Sequence, residues 1–233
     1  MILANVRSRL RGADLDLALR ALGRRHPERR SRYEARLAAE GPDAVLDEPD
    51  LVTALRELRS VAEPSAPLFV YVAVRHTLRA GGMDDREVAD YVAALVLEFG
   101  DHDRGTRIGR YDDRSYHYLV DLVADLATDE GERGFLLRVH LGNYSLWLAG
   151  LFPDRIAARR ARAGGPDLPY YDELGRQGYD LAARHPLADR FGTAGLYRTV
   201  ADRFPALRQA LNHLSDRVFF PDVMTSDKVL RLM

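Results

Sequence analysis

Residues 98–126 read EFGDHDRGTRIGRYDDRSYHYLVDLVADL and collect Glu98, Asp101, His102, Asp103, Asp112, Asp113, His117, Asp121 and Asp125. Carboxylates and imidazoles are the side chains that hold divalent metals and move protons near neutral pH. His117, Asp121 and Asp125 stand at i, i+4 and i+8, so on a helix they share one face. That makes His117, Asp121 and His102 the candidate metal ligands. The opposite arc of the same helix carries Tyr116, Leu119, Val120, Val123, Leu126 and Ala127, so the acids also fit the water-facing side of an ordinary amphipathic helix. Helix-bundle di-iron sites use Glu-x-x-His pairs, and neither that pattern nor His-Glu-x-x-His occurs in the chain. With no cysteine, a metal would have to be held by His, Asp and Glu. The sequence names no cofactor.

A second constellation lies in 132–151, ERGFLLRVHLGNYSLWLAGL, which carries His140, Asn143 and Tyr144 with Trp147 one turn on. Buried, each of these polar groups needs a partner, because an unpaired one costs about 1–3 kcal/mol. They fit a core network that fixes helix register, or the wall of a pocket in which histidine acts as acid, base or ligand. His76, beside Phe69, Val72 and Ala73 in a helix over 66–80, has the same double reading. The candidate catalytic residues are therefore His140, Asn143, Tyr144 and His76.

The stretch RQALNH places Arg208 five residues before His213, and Arg110 precedes His117 by seven. Both resemble the Arg-x4–6-His pattern of the HEPN domains, a family of small helical ribonucleases. The resemblance covers six residues at 208–213 and implies RNA cleavage by Arg208 and His213 in an exposed cleft. Glycine-rich phosphate loops and a Gly-x-Ser-x-Gly nucleophile turn are absent.

The elements that must position these residues read as helices almost throughout, and no segment alternates with period two between turns. Helices are predicted over 13–25, 28–39 and 51–61. Ser65 as N-cap, Pro67 in the first turn and Gly81-Gly82 at the end predict another over 66–80. Asp84 and Glu87 form a capping-box variant ahead of Val88, Tyr91, Val92, Leu95, Val96 and Phe99, which recur with helical period. A loop is expected at 101–112 and helices over 113–128, 132–151, 154–163, 170–184, 193–204 and 205–219. Helix 132–151 is apolar around most of its circumference, which predicts a central, buried position. Its one stripe of small residues, Gly142, Ser145 and Ala149, would admit a close neighbour. The expected fold is all-α: a single-domain multi-helix bundle spanning 1–233, of about nine helices around 132–151. A C-terminal helical subdomain from residue 169 is the alternative division, because AGGPDLP at 163–169 is a break.

Of the 233 residues 46% are hydrophobic and the net charge is −1, a globular composition. Residues 1–36 hold ten arginines against Asp14, Asp16, Glu28 and Glu34. Such a segment could meet nucleic acid or an acidic partner, but its arginines alternate with Ala and Leu as a solvated helix face does. The N-terminal stretch has no apolar signal region. FLLRVHLGNYSLWLAGLF at 135–152 is interrupted by Arg138, His140 and Asn143, which suits a core helix better than a membrane span. A soluble, cytoplasmic protein without membrane contact is expected. Three functions follow in order. The first is a non-catalytic interaction or regulatory module with a protein partner or a second copy of itself. The second is a helical enzyme or ligand-binding protein with a His/carboxylate site between helices. The third is the HEPN-like ribonuclease. Whether the chain is an enzyme is left open.

Overall fold

Every regular element of the computed structural model is helical among the residues it describes, which are 1–58, 63–100, 104–109, 112, 114–116, 119–126 and 129–219. The architecture is a multi-helix bundle, as the periodicity predicts. It contains thirteen α-helices among the described residues, more than the expected nine or so, in part because two short helices form in stretches expected as connections. No helix among those residues is long and apolar enough to cross a membrane. The chain groups into two units, residues 3–97 and residues 98 onward together with Met1 and Ile2.

The 3–97 unit is built from α1 (Gly12–Arg25), α2 (Arg30–Glu40), α3 (Asp43–Leu46), α4 (Leu51–Leu58), α5 (Ala66–Ala80) and most of α6 (Arg86–Phe99). α3 is one of the unforeseen helices and lies inside the expected 41–50 loop; its Ala44, Val45 and Leu46 are buried. α5 starts as the sequence predicts: Ser65 Oγ accepts from the Leu68 N–H at 3.2 Å and itself donates to Asp14 at 2.6 Å. At α6 the cap differs. Asp85, not Asp84, accepts from the Val88 N–H at 3.0 Å, because Asp84 is drawn away to Arg75. Arg75 is 1% exposed and its charge is met twice. It donates to both carboxylate oxygens of Asp47 at 2.9 and 3.1 Å and also to Asp84. Arg86 donates to Asp47 at 2.6 Å, and Arg7 forks onto Asp43 at 3.0 and 2.8 Å. Burial opposes the Arg75 charge, but its bonds to Asp47 and Asp84 win, so its pKa is raised.

The unit from residue 98 holds α7 (Leu119–Leu126), α8 (Glu132–Leu151), α9 (Pro153–Ala163), α10 (Leu168–Ala183), α11 (Pro186–Arg190), α12 (Ala194–Asp202) and α13 (Phe204–Leu214). α11 is the second unforeseen helix and lies in the expected break after 184. Prolines stand in the first turns of α9, α10, α11 and α13, where a missing N–H costs nothing. The 163–167 break is crossed within this unit. Gly164 takes φ +63 as the α9 cap, Asp167 accepts from the Tyr170 N–H at 3.2 Å, and α10 then packs along α8.

That packing depends on missing side chains. A Cβ on Gly178 of α10 would lie 2.7 Å from the Gly142 nitrogen and 2.9 Å from the Arg138 carbonyl. A Cβ on Gly142 would meet the Tyr179 ring at 2.7 Å, and one on Gly175 would meet Ser145 at 2.9 Å and Phe204 at 2.2 Å. Two members of the small stripe on α8 thus face α10. The carbonyls at the α8 C-terminus have no intrahelical donors, and later residues serve them. Asn212 Nδ2 donates to the Ala149 and Gly150 carbonyls at 2.8 and 2.7 Å, and Ser215 donates to Leu151 at 2.8 Å.

Candidate functional site

α8 enters its unit with Arg133 and Leu136 one turn apart on one face. Opposite them stand the end of α6, which supplies Glu98, a single 3-10 turn at Arg104–Thr106, and the segment carrying Ile108 and Asp112. These six residues, with Met1 and Gly109, enclose a cleft of about 570 Å³. Its charged side chains form two opposed pairs, and the Met1 ammonium lies near Glu98 and Arg104. Arg104 Nε lies 3.4 Å from Glu98, and Arg133 Nε lies 3.6 Å from Asp112. Arg104 also donates to the Arg107 carbonyl, and its guanidinium stands 5.9 Å from the centre of the Phe99 ring. Asp112 accepts from the Arg114 N–H at 2.8 Å. The Tyr116 N–H donates to the Thr106 carbonyl at 2.6 Å, which ties the two sides of this segment together.

Arg133 is also held by residues outside the cleft lining. The Tyr116 hydroxyl donates to Asp125 Oδ2 at 2.6 Å, Arg133 donates to both Tyr116 and Asp125, and Arg114 reaches the same oxygen at 2.5 Å. The Tyr116 bond, then Arg114 and Arg133, hold the Asp125 carboxyl down at about 2. Burial, with Asp125 beside it, pushes the Tyr116 hydroxyl up. Both groups therefore keep one protonation state through the physiological range, and Arg133 is presented to the cleft by a fixed bracket.

The sequence candidates fall in several places. His140 is 2% exposed, one turn deeper along α8 than Leu136. Its ring is hydrogen-bonded to the Gly105 backbone, while Nε2 has no hydrogen-bond partner among the described residues. Phe99 and Tyr144 flank the ring at 5.6 and 6.2 Å between centroids. Burial, with the nearby Arg104 charge, lowers its pKa to about 3, so it is neutral at any ordinary pH. Asn143 turns away from it to α10, where its Oδ1 accepts from the Tyr179 hydroxyl at 2.6 Å inside the core. Tyr144 is half-buried and belongs to an aromatic row with Trp147 and Phe152.

His76 lies in the 3–97 unit, where Nε2 is 2.8 Å from the Leu46 carbonyl and burial lowers its pKa. Asp121 is exposed on α7, and His102 and His117 lie outside the described residues, as does Arg110. No group of three His, Asp or Glu side chains that could share a metal ion occurs among the described residues. Arg208 is engaged by Asp172 at 2.7 and 3.1 Å and by Asn212 at 3.0 Å, while His213 is exposed. Five residues apart on α13, the two side chains leave the helix about 140° apart.

Of the cleft charges, Glu98 and Asp112 belong to the acidic stretch that the sequence singles out. Arg104 and Arg133 do not stand out in a chain where arginine is everywhere. The usable signal was the position of Arg133 in the first turn of a helix that is apolar around most of its circumference, where a charge has to be explained by a partner. No family model, curated protein or solved structure matches the chain.

Proposed function

We propose that the chain binds a small molecule in the cleft formed by the end of α6, residues 104–109 with Asp112, and the first turns of α8. One observation carries this reading: a volume of about 570 Å³ in which four charged side chains surround Ile108 and Leu136. Small-molecule sites have this size and this mixture of apolar wall and a few placed polar groups. α8 is the organising element of the proposal, since one face of it supplies Leu136 and the bracketed Arg133. The reading treats the protein as soluble and cytoplasmic. The test is a fragment screen on the protein with methyl-labelled Ile and Leu. Binders that move Ile108 and Leu136 and lose affinity in Arg133→Gln support it. A screen whose binders leave both methyl groups unmoved overturns it.

A role as an interaction module is the second reading, favoured by a separate observation. Val120 is 64% exposed and Val123 38% exposed on α7, one turn apart on one face. Light scattering on Val120→Asp decides this one: an assembly that dissociates supports it, and an unchanged monomer removes self-association through α7.

A further inference from the structure

We infer that the corner where α8 gives way to α9 binds single-stranded nucleic acid, with bases stacked on its aromatic row and phosphates held by the arginines of α9. The corner is separate from the cleft. α8 ends in three half-buried rings in succession. Tyr144 and Trp147 stand 6.2 Å apart between centroids, and Trp147 meets Phe152 edge-on at 4.9 Å. Phe152 caps the end of α8 and the start of α9. On α9, Arg155 and Arg159 are one turn apart, and Ile156 lies three positions before Arg159, so all three fall within one side of the helix. Ile156 is buried in the core that Leu148 and Tyr171 share, and the three rings pack against that same core. Both guanidinium charges act on the Tyr144 hydroxyl, so rings and cations are neighbours. α9 sets four arginines against one carboxylate, Asp154. Arg160 is engaged by Asp167 at 2.8 Å. The exposed Arg155 side chain has no hydrogen bond or ion pair among the described residues.

Charge and rings together decide the occupant. A surplus of arginine on one short helix favours a polyanion. Half-buried rings favour a flat apolar partner, and a nucleic acid supplies both on one chain, because every base has a π-face and carries its phosphate one sugar away. The strand must be single, since bases in a duplex keep their faces stacked on each other. An acidic peptide would neutralise the arginines and leave the rings uncovered. An anionic membrane would need a helix with large apolar side chains turned outward, and Ile156, the one large apolar residue within α9, is turned into the core.

The experiment titrates the intact protein with five probes: dodecamers of uridylate and of thymidylate, an abasic deoxyribose-phosphate dodecamer, polyglutamate, and phosphatidylglycerol vesicles. Trp147 is the only tryptophan in the chain, so its fluorescence reports contact at the corner itself, and sedimentation reports binding anywhere. The expected result is saturable quenching by at least one base-bearing dodecamer, with the abasic strand weaker by about tenfold or more. Phosphate contacts to Arg155 and Arg159 give a log–log salt slope of about −1.4, which Arg155→Gln should bring to about −0.7 while weakening binding. Tyr144→Leu keeps an apolar side chain in place and should weaken binding by about fivefold with the salt slope unchanged. Circular dichroism melts establish that both variants are folded, and the abasic strand tests stacking without any variant. Tighter binding of uridylate supports the inference with RNA as the source, and tighter binding of thymidylate supports it with DNA. An abasic strand bound as tightly as the others overturns it, as does quenching by polyglutamate or vesicles where no oligonucleotide quenches. Binding that leaves Trp147 unquenched overturns it too. So does binding that is lost in Arg24→Gln and kept in Arg155→Gln, because the strand would then lie on the basic N-terminal segment. No binding by either base-bearing dodecamer removes it outright.

Discussion

His140 is a neutral imidazole locked in a core, and that has a consequence for stability. Its folded pKa of about 3 lies below the ordinary value of 6.5, so between those values the unfolded chain binds a proton that the native state refuses. Stability from this group is complete above pH 6.5 and is lost as the pH falls through that window. From pH 7 to pH 5 the loss is about 2 kcal/mol. His76, also lowered by burial, adds in the same direction. Denaturant melts at both pH values should show His140→Phe less sensitive to this change than the parent; equal sensitivity would mean that His140 titrates normally. Asp125 acts in a separate window, since its depressed pKa adds stability that disappears only as the pH falls below the ordinary carboxylate value. Residue identity carried some of this. The sequence marks His140 and Asn143 as polar groups on a buried helix, and both are buried. It could not show that Asn143 belongs to Tyr179, 36 positions away, nor that Arg133 is held by Asp125. Such pairings exist only once helices cross, and no spacing rule encodes them.

At the scale of elements, the α8–α10 crossing is the feature most exposed to a single change. Glycine at 178 lets the α10 backbone come within contact of Gly142 and Arg138. A methyl group there meets main chain, which cannot rotate aside, so Gly178→Ala should cost about 2–3 kcal/mol, at the upper end of overpacking penalties. The propensity gain of alanine over glycine in a helix, about 1 kcal/mol, is too small to offset it. Gly195→Ala is the control, because it lies in α12 with open space around its Cβ; it should be neutral or slightly stabilising. Paired thermal melts would show the contrast, and equal melting points would mean that the crossing is looser than the glycines imply. Helix positions were legible because apolar period, prolines in first turns and Gly81-Gly82 each have a local cause. The shift of the α6 cap from Asp84 to Asp85 was not legible. It follows from Arg75, whose demand for a second carboxylate competes with capping from nine residues away. α3 and α11 escaped because helices of four or five residues are too short to display a period.

At the scale of the molecule, the change from one unit to the other falls inside α6, at residue 97. A helix that continues through the change leaves no composition shift, no glycine and no linker for the sequence to display. The 3–97 unit has the attributes of an independent folding body. Its own core contains Leu22, Leu46, Leu51, Leu55, Tyr71 and Leu95, and its buried Arg75 is neutralised from within by Asp47 and Asp84. It exceeds the roughly 60 residues at which domains become marginal. A fragment must therefore keep α6 whole and extend through Gly100. Expressed as residues 1–100, it should give a single sigmoidal thermal transition followed by circular dichroism. Arg75→Ala in that fragment takes the forked partner from a largely buried Asp47, leaving it Arg86 at 2.6 Å, and should cost about 2–3 kcal/mol, less than the penalty for leaving a buried charge with no partner. Arg75→Met with Asp47→Leu removes both charges together and should recover much of that loss. A fragment that melts without cooperativity would show that its core is incomplete without the rest of the chain. A cooperative fragment indifferent to Arg75→Ala would show that the guanidinium is better hydrated than its 1% exposure implies.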